Sequence, residues 1–217
     1  MGNAASTVEL TQQAFSIGDK QVTIFALPEL ESVKDVGPTL RTQYDEEGGT
    51  VGLKVWPGSL SLADFLVNKR PDLVLGKDVI ELGCGVGLVG LCVAKYCSPS
   101  SVVLTDRESL RPVVQANLES QLPVKFEALD WGNPRDLTKF QESASVQRVV
   151  IGSELVYVEE QEPLCNAIDA VVTDIFVLCY TERSDGDSQY FQEKVLSKRF
   201  DLVDKSGSIY ILRRKRF

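Results

Sequence analysis

The rhythm of apolar and polar positions changes near residue 77. Before it, residues 8–26 alternate apolar and polar about Ile17-Gly18-Asp19-Lys20, which predicts an N-terminal β-hairpin. Residues 28–50 place Pro28, Gly37, Pro38, Gly48 and Gly49 among acids and read as a loop or linker. A short strand near 51–55 leads into Trp56-Pro57-Gly58-Ser59. Ser59 is placed to cap a helix whose apolar residues Leu62, Ala63, Leu66 and Val67 recur at helical spacing.

From residue 77 onward, short apolar runs alternate with amphipathic stretches. Strands are expected near 77–82, 101–105, 124–129, 147–152 and 174–180, with helices near 87–97, 108–120, 134–143 and 159–171. Such alternation makes βαβ units, hence an α/β fold with a mostly parallel sheet and helices on both faces. A last helix near 187–199 precedes Phe200–Val203 and Ser208–Arg213. These two runs are separated only by Asp204-Lys205-Ser206-Gly207 and predict a C-terminal antiparallel hairpin at the sheet edge. The expected organisation is an N-terminal hairpin and loop extension over 1–50, followed by one α/β domain over 51–217.

Composition narrows the chemistry. The 217 residues carry 23 basic and 31 acidic side chains, a net charge of −8, which disfavours nucleic acid as the main partner and favours basic ones. There is no histidine, so His-dependent nucleophile schemes and His metal sites are excluded, and no metal is expected. Five cysteines without C-x-x-C spacing read as buried thiols of a reducing, cytoplasmic setting. Met1-Gly2-Asn3-Ala4-Ala5-Ser6 fits the N-myristoylation pattern, so membrane contact is expected only if Gly2 is acylated. The basic end Arg213-Arg214-Lys215-Arg216 reads as a solvated tail, or as the second signal of such an anchor.

The most informative stretch is Asp78-Val79-Ile80-Glu81-Leu82-Gly83-Cys84-Gly85-Val86-Gly87-Leu88-Val89-Gly90, a strand running into a glycine turn that opens a helix. Glycines let the backbone approach a ligand closely, and a helix N-terminus offers N–H groups. Gly85-x-Gly87-x-x-Gly90 fits a dinucleotide fingerprint; Glu81-x-Gly83-x-Gly85-x-Gly87 fits S-adenosylmethionine (SAM). A carboxylate at Glu81, beside the ligand, would repel a pyrophosphate but serve the cationic ammonium and sulfonium of SAM. Asp106 ends the second strand, where an acid accepts ribose hydroxyls. The plain alternative is that Glu81 and Asp106 only cap helices. Glu81, Asp106, Asp130 and Glu154 are all expected at strand ends, four acids in one crevice suited to cationic groups. Tyr190-Phe191-Gln192-Glu193-Lys194 fits a Y-x-x-x-K dehydrogenase pair, but reads better as an exposed pair on a helix.

These motifs resemble the Rossmann-like, seven-strand SAM-dependent methyltransferases, and among them the methyltransferase-like protein-lysine methyltransferases known as family 16. The resemblance runs over roughly residues 15–214. It is carried by Val79–Leu88, by Val55-Trp56-Pro57-Gly58-Ser59, by Leu129-Asp130-Trp131-Gly132, by Glu154-Leu155-Val156-Tyr157 and by Tyr180-Thr181-Glu182-Arg183. Glu154 stands where the family more often has Asp. The resemblance implies a seven-stranded sheet. It implies cofactor contacts from Trp56, Glu81, Gly83, Gly85, Gly87, Asp106, Asp130, Trp131 and Ser153, and a catalytic loop with Glu154 and Tyr157. It implies an enzyme that methylates lysine in a protein substrate, and a monomer is expected. Arginine or a small molecule as acceptor, or a non-catalytic SAM-fold interaction module, are the alternatives. A lysine amine with a pKa of ~10.4 needs about 4–5 kcal/mol to become neutral at pH 7. Glu154 is expected to receive or orient its proton, and Tyr157 to offer ring face or hydroxyl.

Overall fold

The computed structural model describes residues 6–27, 34–44, 51–142, 148–156, 162–182 and 191–216. Seven strands form the main sheet: β4 (Asp78–Leu82), β5 (Ser101–Asp106), β6 (Val124–Ala128), β7 (Arg148–Ser153), β8 (Ile175–Cys179), β9 (Phe200–Ser206) and β10 (Ile209–Arg214). Their order is β6-β5-β4-β7-β8-β10-β9. Pairings from β6 through β8 are parallel, and β10 runs antiparallel to both β8 and β9. The order reverses between β4 and β7, and ligands of open α/β sheets bind past the carboxyl ends of the strands at such a switch point.

The strands are legible because a parallel sheet is covered on both faces. All six residues of β7 are buried, which gives a continuous apolar run rather than an alternating one. Two apolar clusters lie on the two sides. One joins Val79, Val102 and Leu104 to α1 (Pro57–Asp64), α2 (Leu88–Tyr96) and α3 (Arg111–Asn117). The other joins Ile80, Leu82 and Val150 to α4 (Pro134–Glu142), α5 (Glu162–Val171) and the helical turn Phe191–Leu196.

The N-terminal hairpin forms as expected. β1 (Ser6–Ile17) and β2 (Lys20–Ala26) pair across a two-residue turn in which Gly18 has φ +62°. The region expected to be a loop over 28–50 instead contributes a third strand, β3 (Lys34–Tyr44), paired antiparallel with β1. Gly37 and Pro38 suggested a loop, but β3 is an edge strand and they fall in a register irregularity, Thr11 pairing with Thr39 and Gln13 with Asp35. Proline is tolerated at such places because the ladder does not use its missing N–H. Leu10, Phe15, Ile17, Val22 and Ile24 share the cluster of α1 and α2, so this small sheet packs on the larger unit.

Other differences are local. Residues 51–55 form a 3-10 turn, Val51–Leu53, with one parallel bridge from Leu27 to Lys54, rather than a strand. Helix α1 starts at Pro57 with Trp56 at its N-cap, and Ser59 lies inside it. Pro57 presets the first helical residue, so no side-chain cap is used. The helix expected over 108–120 is a 3-10 turn, Glu108–Leu110, followed by α3, with Pro112 in the first turn. The last helix is π-wound over Phe191–Leu196 before Ser197–Arg199; Tyr190, of the Tyr-Lys pair, lies outside the described residues.

Candidate active site

The cleft past the carboxyl ends of β4, β5 and β7 is lined by three groups of residues. Val51, Gly52, Lys54, Val55, Trp56 and Ser59 form an outer wall, and Gly83, Cys84, Gly85, Val86 and Leu88 form the floor. Asp106, Arg107, Trp131, Ser153, Glu154 and Leu155 close the ends. A cleft that brings apolar side chains together with converging polar and charged groups is suited to a polar small molecule.

The floor is a turn of left-handed glycines. Gly83, Gly85 and Gly87 have φ of +65°, +54° and +87°. A β-carbon at Gly83 would lie 2.7 Å from Leu155 Cδ2, and one at Gly85 would lie 3.0 Å from the Gly52 carbonyl oxygen. The turn therefore needs glycine for backbone shape and for closeness to the outer wall. Gly87 does not line the cleft; it is the left-handed N-cap of α2.

Hydrogen bonds decide between the two ligands that the glycine pattern allowed. Cys84 N–H donates to the Thr105 carbonyl at 2.9 Å, and Gly87 N–H to the Cys84 carbonyl at 2.8 Å. Gly85 N–H donates to Asp106 Oδ2 and Gly90 N–H to Glu81 Oε2, both at 2.8 Å. These four donors are spent inside the protein, one of them on the Asp106 carboxylate, so the turn is a poor cradle for a pyrophosphate. It accommodates a ligand that carries positive charge.

Two of the four acids lie off the cleft lining. Glu81 is 2% exposed and turned under the turn toward α2. Burial, aided by the Asp106 charge and opposed by the Gly90 N–H, pushes its carboxyl up to about 8. Asp130 is exposed, accepts the Gly132 N–H at 2.9 Å and lies outside the cleft lining. The crevice therefore presents two acids, Asp106 and Glu154, with two cations, Lys54 and Arg107, instead of four acids. Alternate residues of a strand face opposite sides of the sheet, so a place near the end of β4 did not tell which way Glu81 points.

Asp106 both caps and lines. Its Oδ1 accepts the Arg107 N–H and its Oδ2 the Gly85 N–H, each at 2.8 Å, which fixes the carboxylate against the turn. A carboxylate has roughly four lone-pair sites, so these bonds are compatible with further acceptance from a ribose diol. Trp56 and Trp131 both reach the cleft. Trp56 Nε1 donates to the Val51 carbonyl at 3.1 Å and holds the outer wall in shape. Ser153 joins Ser59, which the sequence marked as a cap: the two hydroxyls are 2.9 Å apart and tie β7 to α1.

Glu154 follows β7 in the left-handed region, φ +57°, an uncommon state for a residue with a side chain and one that clusters at functional sites. Its N–H donates to the Cys179 carbonyl at 3.0 Å, and its Oε1 accepts from the Thr181 hydroxyl at 3.1 Å. Tyr157 lies outside the described residues. The outer-wall residues Val51, Gly52 and Lys54 were not foreseen, because no local pattern marks a wall that exists only once the chain folds back on Gly85.

The glycine cradle, the donor-poor turn and the carboxylate beside it fit SAM. Among solved structures, the chain is similar to the Thermus thermophilus 16S rRNA N2 G1207 methyltransferase crystallised with SAM and guanosine. The TM-score is 0.55 at 20% identity, over 96% of this chain and 51% of that one, a likeness of fold. It is 33% identical over 187 residues to the protein N-lysine methyltransferase METTL21A of Danio rerio, covering 80% of this chain and 82% of that one. It is 27% identical over 187 residues to the protein-lysine N-methyltransferase EFM6 of Saccharomyces cerevisiae, covering 73% and 75%. A lysine methyltransferase family model matches residues 35–197. The chain thus belongs to the lysine methyltransferase family and is a SAM-dependent enzyme that methylates lysine in protein.

Proposed function

We propose that Glu154 is the group that receives and orients the target amine, and that Asp106, the Gly83–Gly87 turn, Trp56, Trp131 and Ser153 hold the cofactor. The observation that carries this reading is the placement of the Glu154 carboxylate, at one end of the cleft and supported from two other elements. Bound SAM supplies an electrophilic methyl group on a sulfonium. The chain supplies position and charge. A carboxylate beside the amine accepts its hydrogen bond, aligns its lone pair and provides a place for the proton that must leave; positioned acid-base groups contribute about 10²–10⁴ in rate.

The substrate is a protein, as the names of the similar lysine methyltransferases METTL21A and EFM6 give for those enzymes. We also propose that the enzyme works as a monomer in the cytoplasm. Its five cysteines are buried thiols outside any disulfide, and burial pushes the Cys92 and Cys179 thiols up to about 12. Unreactive thiols of this kind suit a reducing compartment. Acylation of Gly2, which lies outside the described residues, would add reversible membrane contact.

The test is incubation of the protein with methyl-labelled SAM and a cell extract, followed by mass spectrometry of labelled proteins. The expected result is methyl-lysine, reduced about 10²-fold or more by Glu154→Ala, with SAM affinity nearly unchanged. Label confined to arginine or small metabolites, or full transfer by Glu154→Ala, overturns the reading.

A further inference from the structure

Gly58 and Glu154 are separated by 96 positions in sequence (154 − 58) yet compete for one volume. A β-carbon at Gly58 would overlap Glu154 Oε1 and lie 2.7 Å from Cγ and 2.8 Å from Cδ of the same side chain. Real β-carbons do not tolerate such contacts, so either the glutamate or the helix would have to move. Gly58 sits in the first turn of α1, directly after Pro57, and its backbone is not left-handed. Helical conformation alone favours alanine there by up to about 1 kcal/mol. Backbone shape therefore does not account for this glycine; the volume of the Glu154 carboxyl does.

The same carboxyl is held from the other side. The Thr181 hydroxyl, two residues beyond the end of β8, donates to Glu154 Oε1 at 3.1 Å. The Cys179 carbonyl takes the Glu154 N–H, so the end of β8 fixes both backbone and side chain of this residue. Three elements meet at one carboxylate: the start of α1, the end of β7 and the end of β8. Gly58 and Thr181 do not line the cleft themselves.

We propose that Gly58 and Thr181 are positioning residues for methyl transfer, the first by leaving room for the Glu154 carboxyl and the second by fixing its orientation. This rests on the reading of Glu154 given above. Gly58 makes the site specific for a carboxyl reaching in over α1, and Thr181 removes the rotation of that carboxyl. Neither residue lines the cleft, so both are expected to act on turnover and not on cofactor affinity.

The experiment compares Thr181→Val, Thr181→Ser, Gly58→Ala, Glu154→Ala and the Thr181→Val/Glu154→Ala double variant, using methyl-labelled SAM and extract protein. Thr181→Val is expected to lower kcat about tenfold, the worth of a hydrogen bond to a charged group, with SAM affinity by calorimetry and Tm unchanged. Thr181→Ser should restore most of the rate. Gly58→Ala should lower kcat by about 10²-fold, and its crystal structure should show the Glu154 carboxyl displaced from Thr181. The double variant should be no slower than Glu154→Ala, because the threonine acts through the glutamate. If Glu154→Ala is impaired while Thr181→Val and Gly58→Ala turn over normally, the positioning proposal fails and the role of Glu154 stands. If Glu154→Ala is fully active, the role of Glu154 fails first. A Gly58→Ala structure with Glu154 in its original place overturns the steric half whatever the activity.

Discussion

The Asn117 side-chain amide joins the glycine turn to the N-terminal sheet: its Nδ2 donates to the Val86 carbonyl at 2.9 Å. The same amide accepts the Phe25 N–H at 2.7 Å and donates to the Phe25 carbonyl at 3.2 Å. Asn117 is buried and so is its bond to Val86, while the two Phe25 bonds are half-buried. Asn117→Leu strands the buried Val86 carbonyl at about 1–3 kcal/mol and gives up the two half-buried Phe25 bonds at about 0.5–1.5 kcal/mol each. The expected loss is about 2–4 kcal/mol, read as a lower denaturant midpoint with an unchanged slope. Because Val86 lies in the cleft floor, SAM affinity should fall as well.

Glu81 predicts how stability depends on pH. Its folded-state value of about 8 lies above the ordinary value of 4.5, so between these the folded chain holds a proton that the unfolded chain has lost. Stability is thus fullest below about pH 4.5 as far as this group is concerned, declines as pH rises through the window and levels off above about pH 8. Thermal melts from pH 5.5 to 8.5 should show a declining Tm. Glu81→Gln, which cannot ionise, should flatten that slope; an unchanged slope in the variant would remove Glu81 as its source.

Cofactor binding depends on the left-handed turn. Gly85→Arg puts a side chain into a residue at φ +54° whose β-carbon already approaches Gly52 O to 3.0 Å, and the rest of the arginine has the cleft as its available volume. Calorimetry should detect no SAM binding, while a cooperative unfolding transition survives. Unchanged affinity in that folded variant would remove the turn from the cofactor site.

The left-handed backbone at Glu154 has a cost that glycine would not bear. Glu154→Gly should raise stability by up to about 1 kcal/mol, or roughly 2–4 °C in Tm for a chain of this size, while abolishing most methyl transfer. A stable and inactive variant is the signature of strain kept for function. A fall in Tm would show that the Thr181 and Gly58 contacts outweigh the backbone strain.

Much of this was legible in the sequence because the main strands are buried on both faces and end in turn residues. The runs at 78–82, 101–106 and 148–153 and the glycine turn needed no tertiary information. Glu81 could not be aimed from sequence. Val79 and Glu81 point to the α2 side and Ile80 and Leu82 to the other, but in a strand buried on both sides the apolar pattern does not tell which face meets the ligand. β3 was hidden by Gly37 and Pro38, which punctuate a loop and an irregular edge strand alike. The fit between Gly58 and Glu154 is a relation of volumes across the fold, and no periodicity encodes it.

The outer wall of the cleft is fastened to the leading sheet by the Leu27 N–H, which donates to the Leu53 carbonyl at 2.8 Å, while the floor belongs to the α/β sheet. A cofactor lodged between them bears on both and acts as mortar in a joint. At a hundred times its dissociation constant it would tighten that joint by about 2.7 kcal/mol, and the loading would be renewed and released with every turnover. The leading strands thus feel whether the enzyme is charged with cofactor, and their backbone amides should exchange with solvent more slowly when it is.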